Sequence, residues 1–453
     1  MARAALETAD QAPLSPALRW PPAEGGALAA AQTWLWLAAL AVLCLAGTWT
    51  HTGARNGFLE SSRPLYSQYS GWDTLPAEGY VSWIGTVPVL SDAESFVRLA
   101  AFFLGQQGPE GTGFLDRRAL YSYLAALVLP WTGPEEGTYV AFVALNAVCW
   151  WISAAATYWL VRRRCGDQAL AWAASFLVAT SNGFVFMAGL PQSYVLAYAS
   201  IVLLIGLSEW LDAWGEGARL GPWLLLGWGA GVASMVYFTH ISVLLFWWVY
   251  GLRRVPWRYP AAATVVALAM GLGWELFGSR VVGLGFNSQN TDQVAEAVGS
   301  WLAIARRNWE SVVTAFRGST IRSTILGAFP HPWWLLAALG FLASRRVDRE
   351  WTLAVVMAGL LPTVVMLALL SLPRVAFFIY PAIVLLAARG ALVLGGLAAS
   401  AVGRAWPSPR LAGLVATVVV GLTLGGLALL SNADLLGYQE LNARFHHALR
   451  GAW

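Results

Sequence analysis

Residues 138–187 read TYVAFVALNAVCWWISAAATYWLVRRRCGDQALAWAASFLVATSNGFVFM, two apolar runs joined by Arg162-Arg163-Arg164-Cys165-Gly166-Asp167. A helix needs roughly 20 apolar residues to cross the hydrocarbon of a bilayer, and each run meets that length. The pattern recurs along the chain. Further apolar runs fall at 33–50, 192–210, 220–237, 240–252, 259–279, 330–344, 351–371, 375–396 and 411–430. About eleven spans are therefore expected, and the fold class is an all-α polytopic membrane protein. The stretch Ala119–Trp131 is apolar but short and reads as a re-entrant or partly embedded helix.

Composition agrees with that reading. Of 453 residues, 58% are hydrophobic and 11% are charged, and the mean hydropathy is +0.58. A chain this apolar is not a nucleic-acid binder, although its pI is near 9.0. All 28 basic residues are arginine, which suits fixed contacts to phosphate and equally suits a GC-rich genome. Cys44 and Cys149 lie within apolar runs and Cys165 in a basic loop, an arrangement unlike a disulfide framework or a zinc site. Residues 1–32 are polar and Pro/Ala-rich and read as a cytoplasmic disordered tail. The 26 tryptophans gather near span ends, where interfacial anchors sit.

The arginines orient the spans. Arg162–Arg164, Arg219, the group Arg253, Arg254 and Arg258, the group Arg345, Arg346 and Arg349, and the pair Arg404 and Arg410 fall in alternate short connections. Cytoplasmic connections carry such charge. The expected arrangement is a single transmembrane unit over 33–430 with a cytoplasmic N-terminus, in a bacterial inner membrane. Loops 51–137 and 280–329 and the tail 431–453 then face outward. Within 298–316, Val298, Trp301, Leu302, Ala305, Trp309, Val312, Val313 and Phe316 share one face of a helix, opposite Arg306, Arg307 and Glu310. Such a helix would lie flat on the outer leaflet. Tyr438, Leu441, Phe445 and Leu449 repeat the pattern in the tail.

Three outward features could carry chemistry. The first is Ser91-Asp92-Ala93-Glu94, ahead of an apolar helix over Phe96–Leu104. The second is Asp116-Arg117-Arg118-Ala119-Leu120-Tyr121, and the third is Leu372-Pro373-Arg374 at the opening of a span. A carboxylate can take the proton from an attacking hydroxyl. Arginines can hold a phosphate through charge-assisted bonds and stabilise it as it leaves. Plainer roles exist for each group. Ser91-x-x-Glu94 is also a capping box, Asp92 also complements a helix N-terminus, Arg117 and Arg118 can pair with Asp116 or lipid headgroups, and Arg374 can snorkel to the surface. Gln192, Tyr194 and His240 stand at outer span ends and are, with Tyr121, candidates for lining a cavity.

The order of these motifs resembles the GT-C superfamily of polyprenyl-phosphate-sugar glycosyltransferases, of the protein mannosyltransferase and lipid A aminoarabinose transferase type. The resemblance rests on a first span, then an acid before SFVRLAAFFL (95–104), then FLDRRALYSYLAALVLPWTG (114–133), and late in the chain PRVAFFIYPAIVLLAARG (373–390). It covers roughly 33–190 and 350–395. It implies a membrane glycosyltransferase that moves a sugar from a polyprenyl-phosphate donor to a glycan, lipid or protein acceptor on the outer face, with inversion. Asp92 is implied as the base with Glu94 beside it, and Arg117, Arg118 and Arg374 as the phosphate contacts. Asp92 and Glu94 are also the residues that would share Mg²⁺ or Mn²⁺, an ion some members need and others do not. The chain departs from the family pattern in spacing its acids Asp-x-Glu and in lacking prolines in Arg-Arg-Ala-Leu-Tyr. Two other classes fit the same hydropathy: a lipid or sugar transporter, and a non-catalytic scaffold subunit of a membrane complex.

Overall fold

Where the apolar runs fall, helices form, because a backbone in hydrocarbon must satisfy its polar groups within its own segment. The computed structural model describes residues 27–66, 81–84, 87–90, 99–105, 119–132, 136–181, 194–214, 218–236, 242–277, 329, 331–370 and 379–432. In chain order the elements are α1 (Ala27–Tyr66), β1 (Val81–Ile84), β2 (Val87–Leu90), α2 (Ala119–Thr132), α3 (Glu136–Cys165), α4 (Gln168–Thr180), α5 (Tyr194–Trp210), α6 (Leu220–Ser234), α7 (Ser242–Gly251), α8 (Arg258–Phe277), α9 (His331–Leu342), α10 (Arg346–Leu370), α11 (Tyr380–Ala405) and α12 (Pro409–Ser431). The protein is an all-α polytopic membrane protein. The segments Ala30–Thr50, Val140–Cys165, Tyr380–Ala405 and Pro409–Ser431 are long and apolar enough to cross a bilayer unaided. Ala30–Thr50 and Pro409–Ser431 display their large apolar side chains outward as a lipid-facing surface requires, Trp49 at 84% exposure and Leu422 at 73% among them, whereas Tyr380–Ala405 is mostly buried within the bundle.

Local chemistry sets the turns. Gly166 adopts φ +66°, a conformation that costs other residues a Cβ clash. Asp167 then caps α4, its carboxylate accepting from the Leu170 amide at 3.0 Å. Arg162, Arg163 and Arg164 occupy the last turn of α3, where the helix dipole favours cations. Ser408 caps α12 ahead of Pro409, placed in the first turn where its missing amide hydrogen costs nothing. β1 and β2 form an antiparallel hairpin in register Val81↔Leu90 and Ile84↔Val87, ending two residues before Asp92.

Several helix ends differ from the hydropathy boundaries. α1 starts at Ala27 inside the expected tail and runs 40 residues, past the span end expected at 50. α11 continues to Ala405 where a span ending at 396 is expected. Hydropathy locates the part of a helix that prefers lipid, whereas the hydrogen-bonded helix ends where a cap or breaker stops it. α7, the shortest expected span, has 10 residues.

The helices alternate in direction. At one end, Arg163 pairs with Asp212 and Arg254 with Glu350, both at 2.7 Å, so the α3–α4, α5–α6, α7–α8 and α9–α10 connections gather there. At the other end the Leu120 amide donates to Met235 O at 3.4 Å, and Asn432 donates to Thr180 O at 2.7 Å. Four of the five arginine-bearing connections therefore meet at one end of the bundle. α9 and α11 run parallel and touch backbone to backbone. A Cβ on Gly340 would overlap the Leu386 carbonyl, and one on Gly390 the Leu336 carbonyl.

Gly390→Leu is expected to cost about 3 kcal/mol, the upper part of the range for overpacking a core. Gly421, with nothing within 4 Å, serves as the control. Thermal unfolding in detergent checks both, and equal midpoints for Gly390→Leu and Gly421→Leu would show that the contact does not exist.

Candidate functional site

Asp92, Glu94, Arg117, Arg118, Gln192, His240 and Arg374 lie outside the described residues. So do Arg306, Arg307 and Glu310 in the expected surface helix, and Tyr438, Leu441, Phe445 and Leu449 in the tail. Tyr194 is the first residue of α5. What is described is the set of helix ends from which those segments depart. Leu99 and Ala119 are buried together, with Phe102, Phe103 and Trp274 against them. Leu99 belongs to a short helical turn followed by Leu104, whose amide donates to Ala100 O at 3.2 Å, within the apolar helix expected over 96–104. A neighbouring cluster holds Ala100, Tyr121, Ala125 and Phe142, with Leu196 of α5 packed on it. Two residues further along α5, Tyr198 meets Tyr380 at 6.5 Å between ring centroids. Phe329 lies edge-on to Tyr380 at 4.4 Å. Leu99, Ala119 and Tyr380, which follow the segments 91–98, 106–118 and 371–378, thus gather on one side of the bundle.

Tyr121 is the one cavity candidate whose side chain is described. It is fully buried, its hydroxyl donates to Asn146 Oδ1 at 2.9 Å, and its ring packs on Phe142 at 5.3 Å. These contacts tie α2, which begins directly after Arg117 and Arg118 in the sequence, to α3.

The arginine end holds a network that the sequence reading did not single out. Arg164 of α3 approaches Glu209 of α5 at 3.6 Å, with 14% and 9% of the two side chains exposed. Trp351 of α10 donates its indole N–H to Glu209 Oε1 at 3.1 Å. The Arg164 guanidinium also lies over the rings of Tyr250 and Trp351, at 5.4 and 6.0 Å. Arg254 stacks on Tyr250 at 3.9 Å and donates to Glu350 Oε2 at 2.7 Å. Beside this, Arg389 of α11 donates to Ser344 Oγ at 2.6 Å and to Asp348 Oδ2 at 3.2 Å. α3, α5, α7, α10 and α11 are therefore joined by ion pairs and arginine–aromatic contacts at this end of the bundle. A lone arginine inside the run VLLAARGALVL was the available signal, because an ionisable residue in an apolar span needs a partner. Arg389 is that residue. Among the described residues, no group of three or more His, Cys, Asp or Glu could hold a metal ion.

Removing one partner of a buried pair strands the other charge and typically costs 3–5 kcal/mol. Glu209→Ala is accordingly expected to lose about 3 kcal/mol, and Glu209→Gln less, since it keeps an acceptor for Trp351. Chemical unfolding of the two variants checks this; equal stability to wild type in Glu209→Ala contradicts it. Glu350 is the fifth residue of α10, just before the apolar run. The hydrogen bond from Arg254 holds its carboxyl below the ordinary 4.5. A lowered value stabilises the folded state above the ordinary value and loses that contribution as pH falls through the folded value. The stability gap between wild type and Glu350→Gln should therefore be full at pH 7 and close below pH 4.5. A gap that widens on acidification would reverse the assignment.

No family model matches the chain, and no curated protein matches it. Among solved structures, the chain is similar to the Archaeoglobus fulgidus oligosaccharyltransferase in its apo form, with a TM-score of 0.52 and 11% identity, covering 87% of this chain and 55% of that one. The same enzyme tethered through a disulfide to an acceptor peptide containing the NVT sequon gives a TM-score of 0.47 at 10% identity, covering 89% and 55%. The chain thus spans little more than half the length of that enzyme. What the two share is a fold, the helical membrane architecture of that enzyme.

Proposed function

We propose that the protein is a GT-C-type membrane glycosyltransferase that moves a sugar from a polyprenyl-phosphate donor to an acceptor at the outer face. The observation that carries this reading is the fold likeness over 87% of the chain to an oligosaccharyltransferase. The gathering of Leu99, Ala119 and Tyr380, which follow the segments 91–98, 106–118 and 371–378, at the end away from the arginine connections supports it. That neighbour was captured with an acceptor peptide, which makes protein an acceptor class to test beside glycan and lipid.

In the proposed reaction, Asp92 accepts the proton of the acceptor's nucleophilic hydroxyl or amide as that atom bonds to the anomeric carbon. The bond from the anomeric carbon to the phosphate oxygen breaks, and its electron pair leaves with the polyprenyl phosphate. Attack from the face opposite the leaving group inverts the anomeric centre. Arg374 holds the phosphate with Arg117 and Arg118, neutralising the charge that grows on it. Glu94 orients Asp92, or shares a Mg²⁺ or Mn²⁺ ion with it at the phosphate. The cytoplasmic N-terminus and the bacterial inner membrane belong to the same reading, since arginine-rich connections face the cytoplasm.

Asp92→Asn should lower transfer by about 10²-fold or more while leaving donor binding intact, in keeping with loss of a general base. Arg374→Ala should weaken binding of polyprenyl phosphate by about tenfold, the worth of one charge-assisted contact. Transfer assays and lipid binding in nanodiscs check both. Undiminished turnover by Asp92→Asn would sink the catalytic assignment, and absence of saturable lipid binding by wild type would favour a scaffold or transporter.

A further inference from the structure

α10 and α11 are the helices that flank residues 371–378, yet they pack mainly on other partners: α10 on α7, and α11 on α9, α12 and α4. Their defined polar tie lies away from that segment. Arg389 Nη2 donates to Asp348 Oδ2 at 3.2 Å, with 9% and 7% of the two side chains exposed. Around the pair stand Ser344 Oγ, 2.6 Å from Arg389 Nη1, and Cys165 Sγ, 3.4 Å from Nη2. Arg345 Nε reaches the same carboxylate oxygen at 3.3 Å. The next residue, Gly390, is pressed against the α9 backbone.

A buried pair of this kind contributes little net stability but is demanding about geometry. Sliding α10 against α11 by one helical turn, about 5.4 Å, would leave the buried Arg389 without its carboxylate, while Asp348 kept only the half-exposed Arg345. Apolar contacts would tolerate that slip far better, since Leu, Val and Ala surfaces are nearly interchangeable. The backbone contact of Gly390 on Gly340 blocks the same slip of α11 along α9. Arg374 lies 15 positions before Arg389, so the register of α11 sets where the 371–378 segment returns to the bundle.

We propose that Asp348 and Arg389 are a positioning pair. They fix the register of α10 against α11 and so the placement of the phosphate-contacting segment that joins the two helices. The pair touches no substrate and acts through Arg374. This inference rests on the assignment of Arg374 under the proposed function for its effect on donor binding, though not for its effect on the segment itself.

The test uses the full chain in nanodiscs with two readouts. One is hydrogen–deuterium exchange of the amides in 371–378; the other is binding of polyprenyl phosphate. Arg389→Met and Asp348→Asn should speed exchange in that segment and weaken binding by about tenfold, an ordinary coupling between separated sites. Arg389→Lys, which keeps the charge, should recover most of both. Ser175→Ala, which removes the 2.9 Å bond from Trp36 between α1 and α4, should move neither. Folded Arg389→Met with wild-type exchange and wild-type binding overturns the proposal, as does an equal response in Ser175→Ala. If Arg389→Met does not fold, Asp348→Asn carries the test. If wild type binds no polyprenyl phosphate, the proposed function fails while the exchange arm still decides the positioning role.

Discussion

A guanidinium inside an apolar bundle needs a carboxylate, and the architecture of this protein turns on two such needs met at one end. Arg389 finds Asp348 and Arg164 finds Glu209, and both acids are reached through the first turns of α10, where Asp348, Glu350 and Trp351 follow one another closely. That short stretch is the hub on which α3, α5, α7 and α11 converge. Charges withdrawn from water are costly to leave alone, so the arrangement of these helices has few alternatives. The lipid-facing surface has no comparable specificity, since one apolar side chain exposed to hydrocarbon is much like another.

The two ends of the bundle differ in character. One is held by ion pairs, indole hydrogen bonds and arginine–aromatic stacking. The other is built from aromatic and small apolar contacts: Phe329 on Tyr380, Tyr198 on Tyr380, Leu99 beside Ala119. The segments with the candidate acids and phosphate-binding arginines depart from the second end. Under the proposed function that division is useful, because a rigid end can hold the register of helices while their other ends receive a lipid-linked donor. The likeness in fold to an oligosaccharyltransferase over most of this chain, at 11% identity, shows how little of such an architecture depends on particular side chains. Function belongs to the site built on it and is argued from those residues.

Much of the fold was legible in the linear pattern. Each expected apolar run contains a helix, Ala119–Trp131 forms a short one as its length required, and the alternation of arginine-bearing connections corresponds to their meeting at one end. The same pattern located the lipid-preferring part of α1, Ala30–Thr50, but not the full helices α1 and α11, because hydropathy reports partition into lipid and says nothing of where backbone hydrogen bonding stops. It also gave no rank to Asp348, Glu209 and Glu350, which read as ordinary acids near a membrane surface. Tyr121, a cavity candidate in the linear reading, is buried and donates its hydroxyl to Asn146, a partner that its position in the sequence does not suggest.

By itself, then, the sequence determined that the chain is helical, that it lies in a membrane, and in which alternating sense its helices run. Those properties depend on hydrophobic period and charge distribution, which are local and additive along the chain. Only the tertiary structure decided which acid answers Arg389, that Gly340 and Gly390 bring α9 and α11 into backbone contact, and that Tyr121 faces inward. Such pairings join residues far apart in sequence, and nothing in the spacing of a chain specifies which of several distant acids a buried arginine will meet. That choice is made when helices pack, by the shape of small residues at their crossings and by the cost of leaving any charge alone.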